Sequence, residues 1–473
     1  MRIFVFVAYL ACSGHGFHFA RRCVHNFRMG RHIRQSLTVL MKPYQPSDAS
    51  LKRTSSAAAH AAADPLEWDS WSGSRMDEFM NEVWQRRPLL VRGAFPNLKK
   101  APLLSPKALL QLSSEEDVSS RIVMRCRDMI DGPVDRKFIK KQKNGQWTIL
   151  VNDMERLLPE FDDLLNHFKC IPTWRFGDVM VSLAPDGGGI GAHVDSYDVF
   201  LLQGSGAREW SIAAEFISIE EGEERMTPRG TDMRVLTDYA PTHKWIMQPG
   251  DMLYLPPRVP HCGVSKSDDC TTISVGFTMP YEAEVLTLFS EFVAEKNMQN
   301  GEVLAGRSSD AGGGSRISSD VLASTKDFIL SSVQEVLNDD KKFSEWFGSF
   351  ITRRQREPTS SQLPLAGSAE GTDQIDQLLS QLQMDPELRL IHPIGIKCAY
   401  VLLDGEEGES NDKGWIFADG KCFGFPREVI DDVPKLTERG ASLSSDFVLN
   451  AKPALLDLLK SLISAGVFQL EEF

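Results

Sequence analysis

The chain has 473 residues, 42% hydrophobic and 25% charged, with a formal net charge of −13. That length allows two to four domains with real cores, and its eight cysteines contain no C-x-x-C pair, which argues against a zinc cage or a disulfide framework. Residues 1–63 hold nine Lys/Arg against one acid, Asp48, leaving 43 bases against 64 acids elsewhere; so acidic a body disfavours nucleic acid and suits a basic protein or peptide partner.

Residues 1–63 read as a targeting segment. A short apolar run over 3–12, behind Arg2, is too brief to span a bilayer. Arg21, Arg22, Arg28, Arg31 and Arg34 follow among Ser and Ala without acids. Import into an organelle, mitochondrion or plastid, is the expectation. The alternatives are a disordered tail on a cytoplasmic or nuclear protein, or a true start at Met29 or Met41. Folded sequence is expected from Asp64. Met76, Phe79, Met80 and Val83 keep helical spacing, Leu89 to Val91 reads as a strand, Ser105-Pro106 opens a helix, Ile122 to Arg125 is strand-like, and 137–146 reads as a charged loop.

From Trp174 to about Pro280 the pattern is short strands with Gly/Pro turns, which predicts an antiparallel jelly roll or barrel. Helical spacing then returns at Val285, Leu288, Phe289, Phe292 and Val293, at Leu322, Ile329, Val333 and Val336, and at Phe343, Trp346, Phe347 and Phe350. These apolar faces predict either a dimer contact or packing against the barrel. Gly/Ser-rich 306–318 and 358–372 read as linkers. The last hundred residues read as a small α+β module, with a hairpin across Asp419-Gly420 and a helix over 455–463. Helices with such a β-wing suggest a winged helix, too acidic here for DNA. No membrane span is expected.

The chemistry centres on P-D-G-G-G-I-G-A-H-V-D-S-Y-D-V-F-L-L-Q, residues 185–203. Read as a strand, it points His193 and Asp195 to one face. A third ligand is expected at His261, within P-G-D-M-L-Y-L-P-P-R-V-P-H; Asp178 and His243 are weaker substitutes. Two histidines and a carboxylate on one side of a metal leave positions open, as in non-haem Fe(II) oxygenases. Arg208, beginning a return strand after Gly204-Ser205-Gly206, can hold a carboxylate bidentately, as the far carboxylate would need if the cosubstrate is 2-oxoglutarate; the other reading is a surface salt bridge with Glu209. Ser274 and Thr272, facing one way on the strand 271–277, could add a hydroxyl. His392 reads as structural. Gly187 to Gly189 is no phosphate loop, because no G-K-[ST] follows.

The stretches G-G-G-I-G-A-H-V-D-S-Y-D-V-F-L-L-Q-G-S-G-A-R-E-W and P-G-D-M-L-Y-L-P-P-R-V-P-H, with R-R-P-L-L-V-R-G and F-S-E-W-F-G-S-F-I outside them, closely resemble the JmjC-type ribosomal oxygenases (cupin-4 group). The nearest likeness is to the bacterial enzyme that hydroxylates an arginine of a large-subunit ribosomal protein. The resemblance covers about residues 64–473. It implies a mainly β fold with α: a double-stranded β-helix over 64–280, a helical dimerisation region over 281–357, a linker over 358–372, and a winged-helix-like domain over 373–473. It implies Fe(II) on His193, Asp195 and His261, 2-oxoglutarate on Arg208 and Ser274, O2 as cosubstrate, a basic ribosomal protein as substrate, and a homodimer. Ala207 and Glu209 stand where the bacterial enzyme has further arginines, and Thr272 where asparagine is expected. The rival readings are a histidyl hydroxylase of a ribosomal protein, a lysyl demethylase, and a non-catalytic cupin that only binds.

Overall fold

A computed structural model of the chain describes residues 64–142, 145–227, 233–298, 317–353, 369–403 and 412–471. The expected targeting segment 1–63 lies outside them, as do nearly all of the linker 306–318 and all but the end of the linker 358–372.

The body is built on two antiparallel sheets. The larger holds β1 (Leu66–Trp68), β2 (Leu89–Val91), β3 (Ser120–Met124), β4 (Asp128–Asp131), β5 (Trp147–Val151), β6 (Phe176–Ala184), β7 (Asp198–Ser205), β10 (Met252–Leu255) and β12 (Cys270–Phe277), in the order β1-β2-β10-β7-β12-β6-β5-β3-β4. The smaller holds β8 (Arg208–Ile212), β9 (His243–Met247) and β11 (His261–Ser265), in the order β11-β8-β9. Alternation along the strands makes this a sandwich. Phe200, Leu202, Val179, Val181, Ile273 and Val275 point away from the small sheet into a core shared with Phe79, Phe161 and Phe168 of the N-terminal segments. Val199 and Leu201 point the other way and pack on Trp210, Ile212 and Met247. The jelly roll read from the sequence is the fold observed.

The register leaves one polar stripe between the sheets. Ser182, Thr272 and Gln203 lie in one row across β6, β12 and β7, and Met180, Ser274 and Leu201 in the next. A buried hydroxyl or amide costs stability unless it has a partner, and this row is paired within itself: Thr272 donates to Gln203 Oε1 at 3.3 Å, Ser182 to the Thr272 carbonyl at 3.4 Å and Gln203 Nε2 to the Ser205 carbonyl at 2.7 Å.

Two local expectations are corrected. Residues 137–146 are not all loop: Arg136–Lys141 is a helix, capped by the Asp135 carboxylate, which accepts from the Lys137 amide at 2.7 Å. Its charged residues obscure one buried anchor, Ile139. His193 and Asp195 do not lie on a strand either, because β7 starts at Asp198.

After β12, the helices Glu282–Met298, Ser319–Leu337 and Asp340–Thr352 share a small core of Phe289, Val293, Val336 and Trp346. Leu322, Phe328, Ile329 and Leu330 remain exposed. The C-terminal module has its own core, including Leu382, Phe425, Val433 and Leu459, and two three-stranded sheets. It docks on the segment leading into β6: Thr173 Oγ1 donates to the Cys398 carbonyl at 2.8 Å, Lys169 pairs with Glu438, and Arg439 pairs with Asp162 while lying 4.4 Å over the Phe176 ring. Among the described residues no helix is long and apolar enough to cross a membrane.

Candidate metal and 2-oxoglutarate centre

His193, Asp195 and His261 come together as expected, each offering one donor atom within 4.8 Å of the others. His261 opens β11, just beyond Pro256 and Pro257, which end β10. His193 lies on a single antiparallel bridge beside it: His193 N donates to His261 O at 3.0 Å and His261 N to His193 O at 2.9 Å. The Arg258 amide donates to the Asp195 carbonyl at 2.7 Å, fixing the next turn of the ligand loop. The loop reaches this position through Gly191 at φ +91°, where an added Cβ would meet Val235 at 2.7 Å.

Both rings are oriented alike. His193 Nδ1 is 3.0 Å from the Gly191 carbonyl, and His261 Nδ1 is 2.9 Å from the Val259 carbonyl. With Nδ1–H donating, each Nε2 keeps its lone pair for the centre. His193 Nε2 stands 4.0 Å from Asp195 Oδ1, and His261 Nε2 3.5 Å from Oδ2, too long for good hydrogen bonds. Burial, then the neighbouring His193, holds His261 down to about 4, so its ring is neutral near pH 7. Two imidazole nitrogens and one carboxylate around a common point suit a divalent first-row metal.

Arg208 enters from the small sheet. It is 3% exposed, its Nε donates to Cys270 Sγ at 3.4 Å, and its Nη2 is buried without a hydrogen-bond partner. The alternative pairing with Glu209 is excluded, since Glu209 faces Lys266 at 3.6 Å instead. A buried guanidinium nitrogen without a partner is costly, and a dicarboxylate reaching down the lumen would satisfy it. Thr272 donates to Gln203 Oε1 at 3.3 Å, and Ser274 is half-buried on the same face. Gln203 is fully buried, and its Nε2 also lies 3.4 Å from Cys270 Sγ. Nothing in the sequence pattern singles it out, because a glutamine ending an apolar strand reads as that strand's exit to solvent.

Asp178 is not a member of the donor group. It lies on the lumen side of β6, and a Cβ on Gly276 would stand 3.6 Å from both its Oδ1 and the Tyr197 ring. Its carboxyl is raised chiefly by burial; Arg121 and Lys397 oppose this and Asp195 adds to it. Tyr197 is held protonated first by the charge of Asp195, to which it hydrogen-bonds. Asp178 and Tyr197 thus both lie close enough to Asp195 to interact with it. His243 lies on β9, with its Nδ1 on Thr242 and its ring stacked on Trp245. His392 is structural as expected: buried, 4.4 Å from the Phe468 ring, and lowered to about 4 by burial.

Residues 163–285 match the JmjC domain family. A probable ribosomal oxygenase of Haemophilus influenzae is 35% identical over 207 residues, which is 43% of this chain and 49% of that protein. The ribosomal protein uL16 3-hydroxylase of Escherichia coli is 29% identical over 287 residues, 59% of this chain and 72% of that protein. The chain thus spans about half the length of the first relative and more of the second. Among solved structures, E. coli YcfD superposes with a TM-score of 0.63 at 24% identity, covering 84% of this chain and 98% of that one. A ribosomal oxygenase of E. coli in complex with cobalt and 2-oxoglutarate gives 0.62 over the same shares.

Proposed function

We propose, on the match of residues 163–285 to the JmjC domain family, that the chain is an Fe(II)- and 2-oxoglutarate-dependent hydroxylase of a ribosomal protein, acting on an arginine side chain. The observation that carries the reading is the pairing of the His193–Asp195–His261 donor group with the unpartnered buried Nη2 of Arg208. His193, Asp195 and His261 hold the metal; Arg208 takes the far carboxylate of 2-oxoglutarate, with Ser274 beside it. Thr272 already donates to Gln203 and shapes the lumen wall. When bound, iron with 2-oxoglutarate and O2 would supply the oxidation that turns an unactivated C–H into C–OH, one oxygen atom going to the substrate and the other to succinate as 2-oxoglutarate loses CO2.

The protein residues bind and orient. Arg208 fixes the cosubstrate at the closed end of the lumen. Tyr197 donates to Asp195 and holds the carboxylate's direction. Asp178, partly buried and interacting with Asp195, favours a cationic side chain beside the donor group, and a guanidinium meets a carboxylate with two parallel hydrogen bonds where an imidazole offers one. That geometry favours arginine over histidine. Lysyl demethylation and a purely binding cupin are the remaining alternatives.

The substrate is a basic protein of the large ribosomal subunit, met by an acidic body. The exposed Leu322, Phe328, Ile329 and Leu330 support a homodimer through the helical region. The division at 64–280, 281–357, 358–372 and 373–473 is part of this reading. So is import into an organelle, on the acid-poor, Arg-rich composition of 1–63. Mass mapping of organellar ribosomal proteins with and without the enzyme is the test. One added oxygen on an arginine is expected. Oxygen on histidine or loss of a methyl from lysine would replace the arginine reading, and no modification with no succinate formed would leave only the binding cupin.

A further inference from the structure

The space between the two sheets holds a second buried donor that no described residue accepts. Trp210 follows Arg208 by two residues on β8, so the two side chains leave the strand on one face. The pairing of β8 with β11 orders that face: Arg208 stands opposite Ser265, Trp210 opposite Gly263, and Ile212 opposite His261. The indole therefore lies midway along the wall that runs from His261 to Arg208. Its ring is 5.9 Å from the His261 ring, centroid to centroid, and 5.8 Å from Arg208 Cζ. Gly263 leaves room for it, since an added Cβ there would stand 2.8 Å from the indole.

Trp210 is 5% exposed and belongs to the apolar cluster that includes Val199 and Leu201 of the facing sheet. Its Nε1 is buried without a hydrogen-bond partner. An indole N–H can only donate, and a buried one normally finds an acceptor. Packing alone would be served by phenylalanine, which has no donor to desolvate. The orphaned Arg208 Nη2 lies on the same face of the same strand. A ligand that meets both has an anionic end at Arg208, an apolar stretch across the ring, and an oxygen acceptor for Nε1. 2-Oxoglutarate, a dicarboxylate with two methylene groups between its functional ends, has that form.

We propose that Trp210 is a further cosubstrate-binding residue: its ring packs against the methylene groups of 2-oxoglutarate, and its Nε1–H donates to a carboxylate oxygen of the same molecule. The proposal rests on the reading of the site as a 2-oxoglutarate centre given above. With Arg208 it holds the cosubstrate at two points instead of one. The hydrogen bond is to a charged acceptor in a buried setting, where such bonds are at their strongest.

The test uses the full chain loaded with Zn(II), which is redox-inert, so that no turnover occurs, and reads the 2-oxoglutarate Kd by calorimetry. Replacing Trp210 by benzothienylalanine keeps the ring shape and puts sulfur where the N–H was. It is expected to weaken 2-oxoglutarate about tenfold or more and to leave Zn(II) affinity within about twofold. Trp210→Phe, the second variant should the first fail to fold, is expected to do the same. In the wild-type chain carrying isotope-labelled tryptophan, the indole N–H resonance that Trp210→Phe removes is expected to move downfield when 2-oxoglutarate is added. A Kd within about twofold of wild type in the isosteric variant, an indole resonance that does not move, or equal weakening of 2-oxoglutarate and Zn(II) overturns the proposal. Arg208→Ala separates the two levels of the argument. If it weakens 2-oxoglutarate while the Trp210 variants change nothing, only the assignment of Trp210 falls. If the Zn(II)-loaded wild-type chain binds no 2-oxoglutarate, the reading of the centre falls and the proposal falls with it.

Discussion

Single side chains decide the chemistry here, and each can be tested alone. Replacing His193 or Asp195 by Ala removes a donor that nothing adjacent replaces, since Asp178 stands outside the donor group. Loss of stoichiometric metal, read by elemental analysis, and loss of turnover are expected together. Arg208→Ala should raise the 2-oxoglutarate KM at least about 30-fold, because a buried charge-assisted contact is lost, with metal content unchanged. Glu155 offers a test through pH. Burial raises its carboxyl to about 7 from an ordinary 4.5. The folded state therefore binds this proton more tightly than the unfolded chain does. Its favourable contribution is fully present below about pH 4.5 and is lost as pH rises through about 7. Glu155→Gln, still able to accept from the Val179 amide, is expected to add roughly 3 kcal/mol at pH 8 and almost nothing at pH 4. Thermal unfolding at the two pH values reads the difference.

Elements carry the site because their ends are tied together. Asp198, which opens β7 three residues after Asp195, is fully buried and accepts from Tyr254 Oη at 2.6 Å, Gln85 Nε2 at 3.0 Å and Arg175 Nη2 at 3.2 Å. This network joins β10, the segment after the first helical turns, and the entry to β6 around the start of β7. Asp198→Ala would strand the Arg175 charge among aromatic rings, 5.0 Å from the Trp84 centroid. A loss of roughly 3–5 kcal/mol is expected for breaking a buried pair at one partner, measurable by urea unfolding. The turn between β7 and β8 is as exacting. Gly206 sits at φ +60°, and an added Cβ would stand 3.0 Å from the Cys270 backbone. The turn that aims Arg208 into the lumen therefore has little room for any other residue.

At the scale of the whole molecule, the sandwich, the helical region and the C-terminal module have separate cores. Ile329→Asp, placed on the exposed face of the helix Ser319–Leu337, is expected to shift a dimer to monomer in light scattering while the donor group still binds metal. The sequence by itself determined what local chemistry encodes: the alternation that makes strands of 174–280, the proline turn that delivers His261, the glycine turn before Arg208, and the identities of the three donors. It did not determine that His193 and Asp195 lie on a bridged loop instead of a strand, because a bridge to His261 is a contact across 68 residues, without local periodicity. Nor could it reveal that Gln203 and Arg208 both reach the buried Cys270 sulfur, or that Glu209 turns away to Lys266. Those outcomes depend on which surfaces meet when two sheets close. Burial and long-range electrostatics are properties of that meeting, and no stretch of chain carries them alone.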